Sequence, residues 1–328
     1  MSDIDGVALG RWLAGNVDGV DDPVATLEVI SGGASNLTIG VDISGRSLVV
    51  RRPPVGAFLP SANDVSREYR YLSALRDTPV PVPPVYAFCD DVEVIGAPFY
   101  VMERLHGIVP HELDAVAHLT PGQGRGLSER FVEVLRAIHA VDIDAVGLGD
   151  AAKRTGYLER QVTRWTDQWH RAKEQDSPVI DELARRLGAT IPTSPATTVV
   201  HGDYRLGNVM IGGDDPTEIV GVFDWEMATL GDPLADVGYT LLYWGTTDRP
   251  PIHPSQAIAD RPGFFTADEL AAAYGADTSL DFYIALAAFK LAIIGEGNRA
   301  RARRLGHEVP AGVNPLPEWA LDLITRGT

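Results

Sequence analysis

The sequence changes its hydrophobic pattern near residue 105, and this change limits the folds that the chain can adopt. Before that point, segments rich in Val, Ile, Leu and Thr are separated by Gly-rich and Pro-rich turns, as β-strands are. Beyond it the pattern is mostly helical. Strands that are followed by helices, rather than alternating with them, favour an α+β fold.

The first region is predicted to contain a short helix over residues 4–15, then five antiparallel strands and one further helix. A Gly-rich turn, Ser31 to Asn36, and a tight turn, Ser44 to Arg46, join the first three strands into a meander. The predicted strands cover Thr26 to Ile30, Leu37 to Ile43, Ser47 to Arg51, Val85 to Cys89 and Pro98 to Glu103, and the second helix covers Ser61 to Leu75.

The second region is predicted to be mainly helical, with two short strands at Val199 to Val200 and Ile219 to Phe223. A length of 328 residues suits two lobes, and we divide the chain into residues 1–105 and residues 106–328. The predicted helices cover residues 121–140, 155–174, 177–188, 233–244, 266–275 and 279–304.

The composition excludes some partners. A formal net charge of -17 would repel nucleic acid and anionic lipid. The longest apolar run, Phe282 to Ile294, is interrupted by Lys290 and is shorter than the ~20 residues of a membrane span.

The start of the sequence lacks the pattern of a secretion signal, and Cys89 is the single cysteine. We expect a cytoplasmic protein that is a monomer or homodimer.

The most informative segment reads His201-Gly202-Asp203-Tyr204-Arg205-Leu206-Gly207-Asn208. Asp203 and Asn208 lie five apart on a loop and can point at one small volume, which Asp224 can reach from the end of a neighbouring strand. Carboxylate and amide oxygens suit Mg²⁺ rather than zinc. Phosphoryl transfer needs such a metal site, a group that orients the attacking hydroxyl, and cations.

This pattern resembles the aminoglycoside phosphotransferase-type kinases, which are relatives of protein kinases. Protein kinases have a catalytic loop H-R-D-L-K-x-x-N and a metal-binding strand that ends in D-F-G. Here Phe223 to Ala228 and Gly231 to Asp236 are similar to the branch of that family associated with acyl-CoA dehydrogenases. The resemblance covers residues 24–305. It implies a two-lobed protein-kinase-like fold that transfers the γ-phosphate of ATP or GTP to a small-molecule hydroxyl, with Mg²⁺ as cofactor.

The resemblance also implies roles for individual residues. Asp203 would accept or orient the proton of the substrate hydroxyl, and Asn208 and Asp224 would hold the metal. Arg205 falls where protein kinases keep a Lys that faces the transferred phosphate. The alternatives are a turn-forming Asp, a pair of capping residues and a surface ion pair, respectively.

Four neighbouring residues are expected to support this loop. Glu226 could contact a second metal through water or anchor the loop, and the sequence leaves both open. His201 is expected to brace the loop by hydrogen bonds. Asp232 is expected to cap the helix that begins with Pro233, and Asp236 to have a structural duty.

Nucleotide-binding residues are expected around the first turn of the sheet. Gly32 and Gly33 would let backbone amides approach the phosphates, and Ser35 and Asn36 could add hydrogen bonds. A Gly-Gly pair between strands is usually only a hairpin turn, and this turn lacks the full G-x-G-x-x-G of protein kinases.

Further nucleotide contacts are expected from the third strand and from the segment that joins the lobes. Protein kinases have a Lys on that strand which pairs with a Glu on the next helix; Arg51 and Glu68 stand in these places. Alternation puts Arg51 and Arg52 on opposite faces, and we expect Arg51 to point inward. Backbone groups of Glu103 and Leu105 would read the adenine edge.

The acceptor is less constrained. A basic cluster near the C-terminus suits an anionic substrate such as a hydroxyacyl-CoA, although a solvated helix face explains it equally well. The alternatives are an aminoglycoside phosphotransferase, a nucleotide-binding pseudokinase without turnover, and a metal-dependent hydrolase. The cluster consists of Lys290, Arg299, Arg301, Arg303 and Arg304.

Overall fold

The computed structural model follows the predicted order of strands and helices. It describes residues 4–32, 36–54, 65–245, 250, 252, 257–307 and 314–326. The strands are β1 (Thr26–Gly32), β2 (Leu37–Ile43), β3 (Arg46–Arg52), β4 (Val85–Cys89), β5 (Phe99–Glu103), β6 (Thr198–Val200), β7 (Val209–Ile211), β8 (Ile219–Val222) and β9 (Thr229–Gly231). The helices are α1 (Gly6–Asn16), α2 (Val65–Leu75), α3 (Val92–Ile95), α4 (Pro121–His139), α5 (Tyr157–Ala172), α6 (Pro178–Ala189), α7 (Pro233–Tyr243), α8 (Ala267–Tyr274), α9 (Asp281–Arg304) and α10 (Leu316–Arg326).

The first five strands form the predicted antiparallel sheet, in the order β1-β2-β3-β5-β4. Side chains alternate across its two faces. Leu48 and Val50 of β3 pack in one cluster with Leu9 and Leu13 of α1, whereas Val49 belongs to the core that includes α2. The sheet is therefore covered by a helix on each side, and the next odd residue, Arg51, falls on the α2 side.

The second region is mainly helical, and four short strands interrupt it. β6 pairs with β9, and β7 pairs with β8, so two small two-stranded sheets lie beside the helices. Four elements, α3, β7, β9 and α10, were not predicted from the sequence. Within the described residues, no helix combines the length and apolar character that crossing a membrane requires. The division into lobes at residue 105 stays a prediction.

Helix α7 is fixed at its N-terminus and along its side. Asp232 caps it as predicted, accepting a hydrogen bond from the Leu234 N–H at 2.9 Å, and Pro233 occupies the first turn. Asp232 also accepts one from the Tyr283 hydroxyl of α9 at 3.0 Å. A Cβ on Gly238 would lie 2.5 Å from the Tyr283 carbonyl carbon, so this glycine is what allows α7 and α9 to pack closely.

Candidate active site

The loop between β6 and β7 brings Asp203 and Asn208 into direct contact. The Asn208 side-chain Nδ2 donates to the Asp203 carboxylate oxygen Oδ2 at 2.7 Å and to the Asp203 backbone carbonyl at 2.8 Å. These bonds occupy the amide nitrogen and leave the amide oxygen Oδ1 as the atom that could bind a cation. The spacing of five residues thus places the Asp203 and Asn208 side chains in hydrogen-bond contact.

His201 braces this loop, as the sequence predicted. It is fully buried, and its Nδ1 accepts a hydrogen bond from the Asp203 N–H at 3.2 Å. Its Nε2 therefore carries the proton and donates to the Phe223 carbonyl at 2.9 Å. The ring links the start of the loop to the residue that precedes Asp224.

Asp236 of α7 clamps the beginning of the same loop. Its two carboxylate oxygens accept from the backbone N–H groups of His201 at 2.6 Å and Gly202 at 2.7 Å. Burial would raise the pKa of Asp236, but hydrogen bonds and the charge of His139 outweigh it, so the pKa is lowered. The ionised carboxylate is the form that can accept both bonds, and the predicted structural duty of Asp236 is confirmed.

Asp224 is held next to the Asp203–Asn208 pair by the β7–β8 ladder. The Phe223 N–H donates to the Asn208 carbonyl at 2.9 Å, and Asp224 follows in a left-handed conformation with φ of 66°. This region is uncommon for a residue other than glycine. The Trp225 indole N–H donates to the Val222 carbonyl at 3.0 Å, which secures the turn.

Arg51, Glu68 and Asp224 form a chain of ion pairs between the sheet and this loop. The Arg51 Nε lies 3.1 Å from a Glu68 oxygen, and its Nη2 lies 3.5 Å from an Asp224 oxygen. Burial opposes the charged form of Arg51, but Glu68 and the other nearby acidic groups outweigh it and raise its pKa. Arg52 is buried on the other face, where it donates to the Pro53 carbonyl at 3.4 Å. The expected inward direction of Arg51 is therefore what the structure shows.

Arg205 lies across the catalytic loop beside Asp203. Its Nε is 3.5 Å from the Asp203 carboxylate, and its guanidinium lies 5.4 Å from the centre of the Tyr243 ring. A Cβ on Gly207 would come within 2.2 Å of the Arg205 Nη1. This position of Arg205 therefore depends on a glycine at residue 207.

The site has carboxylate oxygens that suit a cation. Oδ1 of Asp203, Oδ1 of Asp224 and Oε2 of Glu226 are buried and make no hydrogen bond within the described part of the chain. Burial, then Asp224 and Glu68, raises the pKa of Glu226 to about 7. Buried carboxylate oxygens without hydrogen bonds are costly, even though a guanidinium lies 3.5 Å from the Asp203 and Asp224 oxygens, and a divalent cation would relieve that cost.

The candidate cation site combines an amide oxygen with a carboxylate. Among the described residues, no three His, Cys, Asp or Glu side chains are grouped so as to hold a metal. The amide oxygen of Asn208 and the carboxylate of Asp224 are donors of the kind that Mg²⁺ accepts, an ion that keeps several water or phosphate ligands.

The expected nucleotide contacts at the first turn are only partly described. Gly32 ends β1 opposite Leu37, whereas Gly33 and Ser35 lie outside the described residues. Asn36 is 4% exposed, and neither polar atom of its side chain has a hydrogen-bond partner among the residues that the structure describes. A buried, unpaired amide at this turn is suited to an incoming polar ligand.

The backbone N–H groups of Glu103 and Leu105 differ in whether the described part of the protein already occupies them. The Glu103 N–H donates to the Pro84 carbonyl at 2.8 Å, and its side chain accepts from the Tyr86 hydroxyl at 2.9 Å. The Leu105 N–H makes no hydrogen bond to any described residue, and the Leu105 side chain lies against Gly221 of β8. Leu105 can therefore still donate to a base edge, whereas the Glu103 amide is already occupied.

The basic cluster of α9 does not form one continuous cationic surface. Lys290 is buried, and its Nζ donates to the Gly202 carbonyl at 2.6 Å. Arg299 pairs with Glu296 at 3.7 Å, and Arg303 pairs with Glu174 at 2.7 Å. The hydrogen bond between Lys290 and the loop of residues 201–208 was not predicted, because no local pattern in the sequence indicates a contact between residues 88 apart.

The fold, together with the Asp203–Asn208 pair beside Asp224, is that of a protein-kinase-like phosphotransferase. The chain belongs to the phosphotransferase enzyme family, whose family model matches residues 26–273. It is 36% identical to mouse acyl-CoA dehydrogenase family member 10 over 81% of this chain and 25% of that protein. It is 32% identical to chicken acyl-CoA dehydrogenase family member 11 over 97% of this chain and 43% of that protein. The chain thus spans less than half the length of these relatives.

Solved structures share the fold. A Ralstonia eutropha protein provisionally called an aminoglycoside phosphotransferase superposes with a TM-score of 0.82, at 30% identity and 98% coverage of both chains. A thermostable mutant of aminoglycoside phosphotransferase APH(4)-Ia, bound to AMP-PNP and hygromycin B, superposes with a TM-score of 0.60 at 16% identity and 97% coverage of both chains. At that identity the second likeness shows the fold alone.

Proposed function

We propose that this chain is a magnesium-dependent kinase that transfers the γ-phosphate of ATP or GTP to a hydroxyl group of a small molecule. The observation that carries the proposal is the 2.7 Å hydrogen bond from Asn208 to Asp203. It fixes one oxygen of the Asp203 carboxylate, while the other oxygen, 3.5 Å from the Arg205 Nε, makes no hydrogen bond to a described residue and is the one that we assign to the substrate hydroxyl.

The nucleotide is proposed to lie along the sheet side of the site. Leu105 would donate its N–H to the base, and the backbone at Gly32 and Gly33, with Ser35 and Asn36, would contact the phosphates. The AMP-PNP complex of a protein with the same fold supports a nucleotide donor. Asn208 and Asp224 would hold Mg²⁺, which neutralises phosphate charge when it is bound.

The proposed reaction uses three side chains of this chain. The substrate hydroxyl attacks the γ-phosphorus, the bond to the β–γ bridging oxygen breaks, and the hydroxyl proton passes to Asp203. Arg205, beside Asp203, would stabilise the charge on the transferred group. Arg51 would help to position the phosphates, because its ion pair with Glu68 keeps it charged and fixed.

For the acceptor, we propose a hydroxyacyl-CoA or a similar metabolite. The support is the similarity to two proteins named for acyl-CoA dehydrogenases. The second candidate is an aminoglycoside, which the name of the solved Ralstonia protein favours. Consumption of ATP against panels of both substrates, with the phosphorylated product identified by mass spectrometry, separates the two. Turnover of aminoglycosides alone would overturn the preference.

Substitution of Asp203 by Asn tests the kinase proposal against a pseudokinase and a hydrolase. We expect Asp203→Asn to keep AMP-PNP binding and to lower phosphoryl transfer by about 10²–10⁴-fold. Asp214→Asn, at an exposed residue between β7 and β8, is the matched control. Binding without any transfer by the unaltered protein would favour the pseudokinase. Release of inorganic phosphate without a phosphorylated product would favour the hydrolase.

A further inference from the structure

A wide cavity of about 890 Å³ lies between α2 and α5, and its lining is strongly basic. Six cationic side chains line it, against only two acidic ones, Glu159 and Asp167. The chain as a whole has the opposite balance, with a formal net charge of -17. The six basic residues are Arg67, Arg70, Lys153, Arg160, Arg164 and Arg171.

Part of this positive charge has no carboxylate partner among the described residues. Arg70 forms an ion pair with Asp150, which is exposed, and Arg160 donates to the backbone carbonyls of Thr155 and Lys153. Among the described residues, no carboxylate lies within ion-pair distance of Lys153, Arg164 or Arg171. Grouped cations repel one another unless an anion compensates them. The cavity therefore has the electrostatic character of an anion-binding site.

The cavity lies close to the residues that follow Asp224 in the sequence. Ala228 and Thr229, which follow the segment with Asp224 and Glu226, form part of its wall. Tyr157 and Gln161 line both the cavity and a narrow space that is also bordered by Gly202 and Lys290. These shared wall residues bring the cavity near Gly202, the residue that precedes Asp203.

We propose that this cavity binds a group that carries two or more phosphates, at a place distinct from the nucleotide cleft. Its volume is that of a site for a sizeable ligand and exceeds what one phosphate needs. One guanidinium group can bind two oxygens of a phosphate at once, and the lining supplies five guanidinium groups. A polycationic acceptor would be repelled. The phosphates belong either to the acceptor itself, as in coenzyme A, or to a free polyphosphate; the first case rests on the proposed function.

Calorimetric titrations of the whole chain, saturated with Mg²⁺ and AMP-PNP, test this proposal. The probes are coenzyme A, pantetheine as the phosphate-free part of it, and inorganic pyrophosphate. The cavity variant is Arg164→Gln with Arg171→Gln. The control variant, Arg11→Gln with Arg76→Gln, makes the same charge change at two exposed arginines outside the cavity.

We expect coenzyme A to bind the cavity variant at least tenfold more weakly than the control, with salt weakening the binding and pantetheine showing no difference. Binding of pyrophosphate but not of coenzyme A, with the same loss in the cavity variant, would support the site and assign the phosphates to a free anion. Equal binding by both variants, or no binding of either anion to the unaltered protein, would overturn the proposal.

Measuring phosphoryl transfer by the same proteins distinguishes a failure of the cavity site from a failure of the proposed kinase activity. A protein that binds coenzyme A through the cavity but transfers no phosphate would refute the kinase assignment and leave the cavity site standing. A protein that phosphorylates a hydroxyacyl-CoA with the same kcat/KM in the cavity and control variants would refute the assignment of the cavity to the phosphates of the acceptor and leave the kinase assignment standing.

Discussion

The Lys290 side chain of α9 donates a hydrogen bond to the Gly202 carbonyl at 2.6 Å, next to Asp203 in the catalytic loop. Its Nζ also lies 4.4 Å from the centre of the Tyr239 ring. With Asp236 holding the Gly202 N–H, both backbone polar groups of Gly202 are fixed by buried charged side chains. The position of Asp203 is therefore set by two helices from distant parts of the sequence.

Substitution of Lys290 by Met should loosen this loop. The Gly202 carbonyl would lose its partner, at a cost of about 1–3 kcal/mol in the free energy of unfolding. We expect kcat to fall more than AMP-PNP affinity does, because the change lies beside Asp203 and away from the sheet. Arg301→Met, at an exposed residue of the same helix, is the control. Unchanged kcat and unchanged urea unfolding in Lys290→Met would contradict this prediction.

Lys290 should also make stability depend on pH. Burial lowers its pKa to about 8, although Asp203 and Asp236 favour its charged form and Arg164 opposes it. Between that pH and the usual lysine pKa, the unfolded chain holds more protons, so the free energy of unfolding rises with pH, by at most about 1.4 kcal/mol per pH unit.

The predicted pH dependence can be checked by measuring the urea unfolding of the unaltered protein and of Lys290→Met from about pH 7 to about pH 10. The stability of the unaltered protein relative to the Met variant should increase across the upper half of that range. Parallel stability curves would show that Lys290 does not titrate there.

Substitution of Arg51 by Lys should weaken nucleotide binding. The planar guanidinium contacts Glu68 through Nε and Asp224 through Nη2 at once, whereas an ammonium group is a single point charge. We expect the nucleotide KM to rise roughly tenfold, or ~1.4 kcal/mol. Arg76→Lys, at an exposed residue after α2, should leave KM unchanged. An unaltered KM in Arg51→Lys would mean that the ion-pair chain does not position the nucleotide.

Substitution of Gly207 by Ala should displace Arg205. The new Cβ would lie 2.2 Å from the Arg205 Nη1, so the guanidinium must leave its place beside Asp203. We expect kcat to fall on the order of tenfold to a hundredfold, with AMP-PNP affinity retained. Gly213→Ala is the control, since nothing lies within 4 Å of a Cβ there. Equal kcat values in the two variants would argue against a catalytic role for Arg205.

Local patterns predicted most of the sheet and the long helices. The limits of β2 and β4 match the prediction, because Gly turns border β2 and because β4 follows Pro84 and ends before Asp90. β7 and β9 were missed, since three residues are too few to show a period. α10 was missed although Leu316, Ala320 and Ile324 recur every four residues and are buried.

The sequence by itself determined the spacing of Asp203, Asn208 and Asp224 and the alternation that separates Arg51 from Arg52, because a loop of fixed length and a pleated strand impose these relations locally. Only the tertiary structure decided that Lys290 and Asp236 hold Gly202 from two helices, and that basic side chains of α2 and α5 share one cavity. Such contacts depend on how helices pack across the core, and no local period of the sequence encodes that packing.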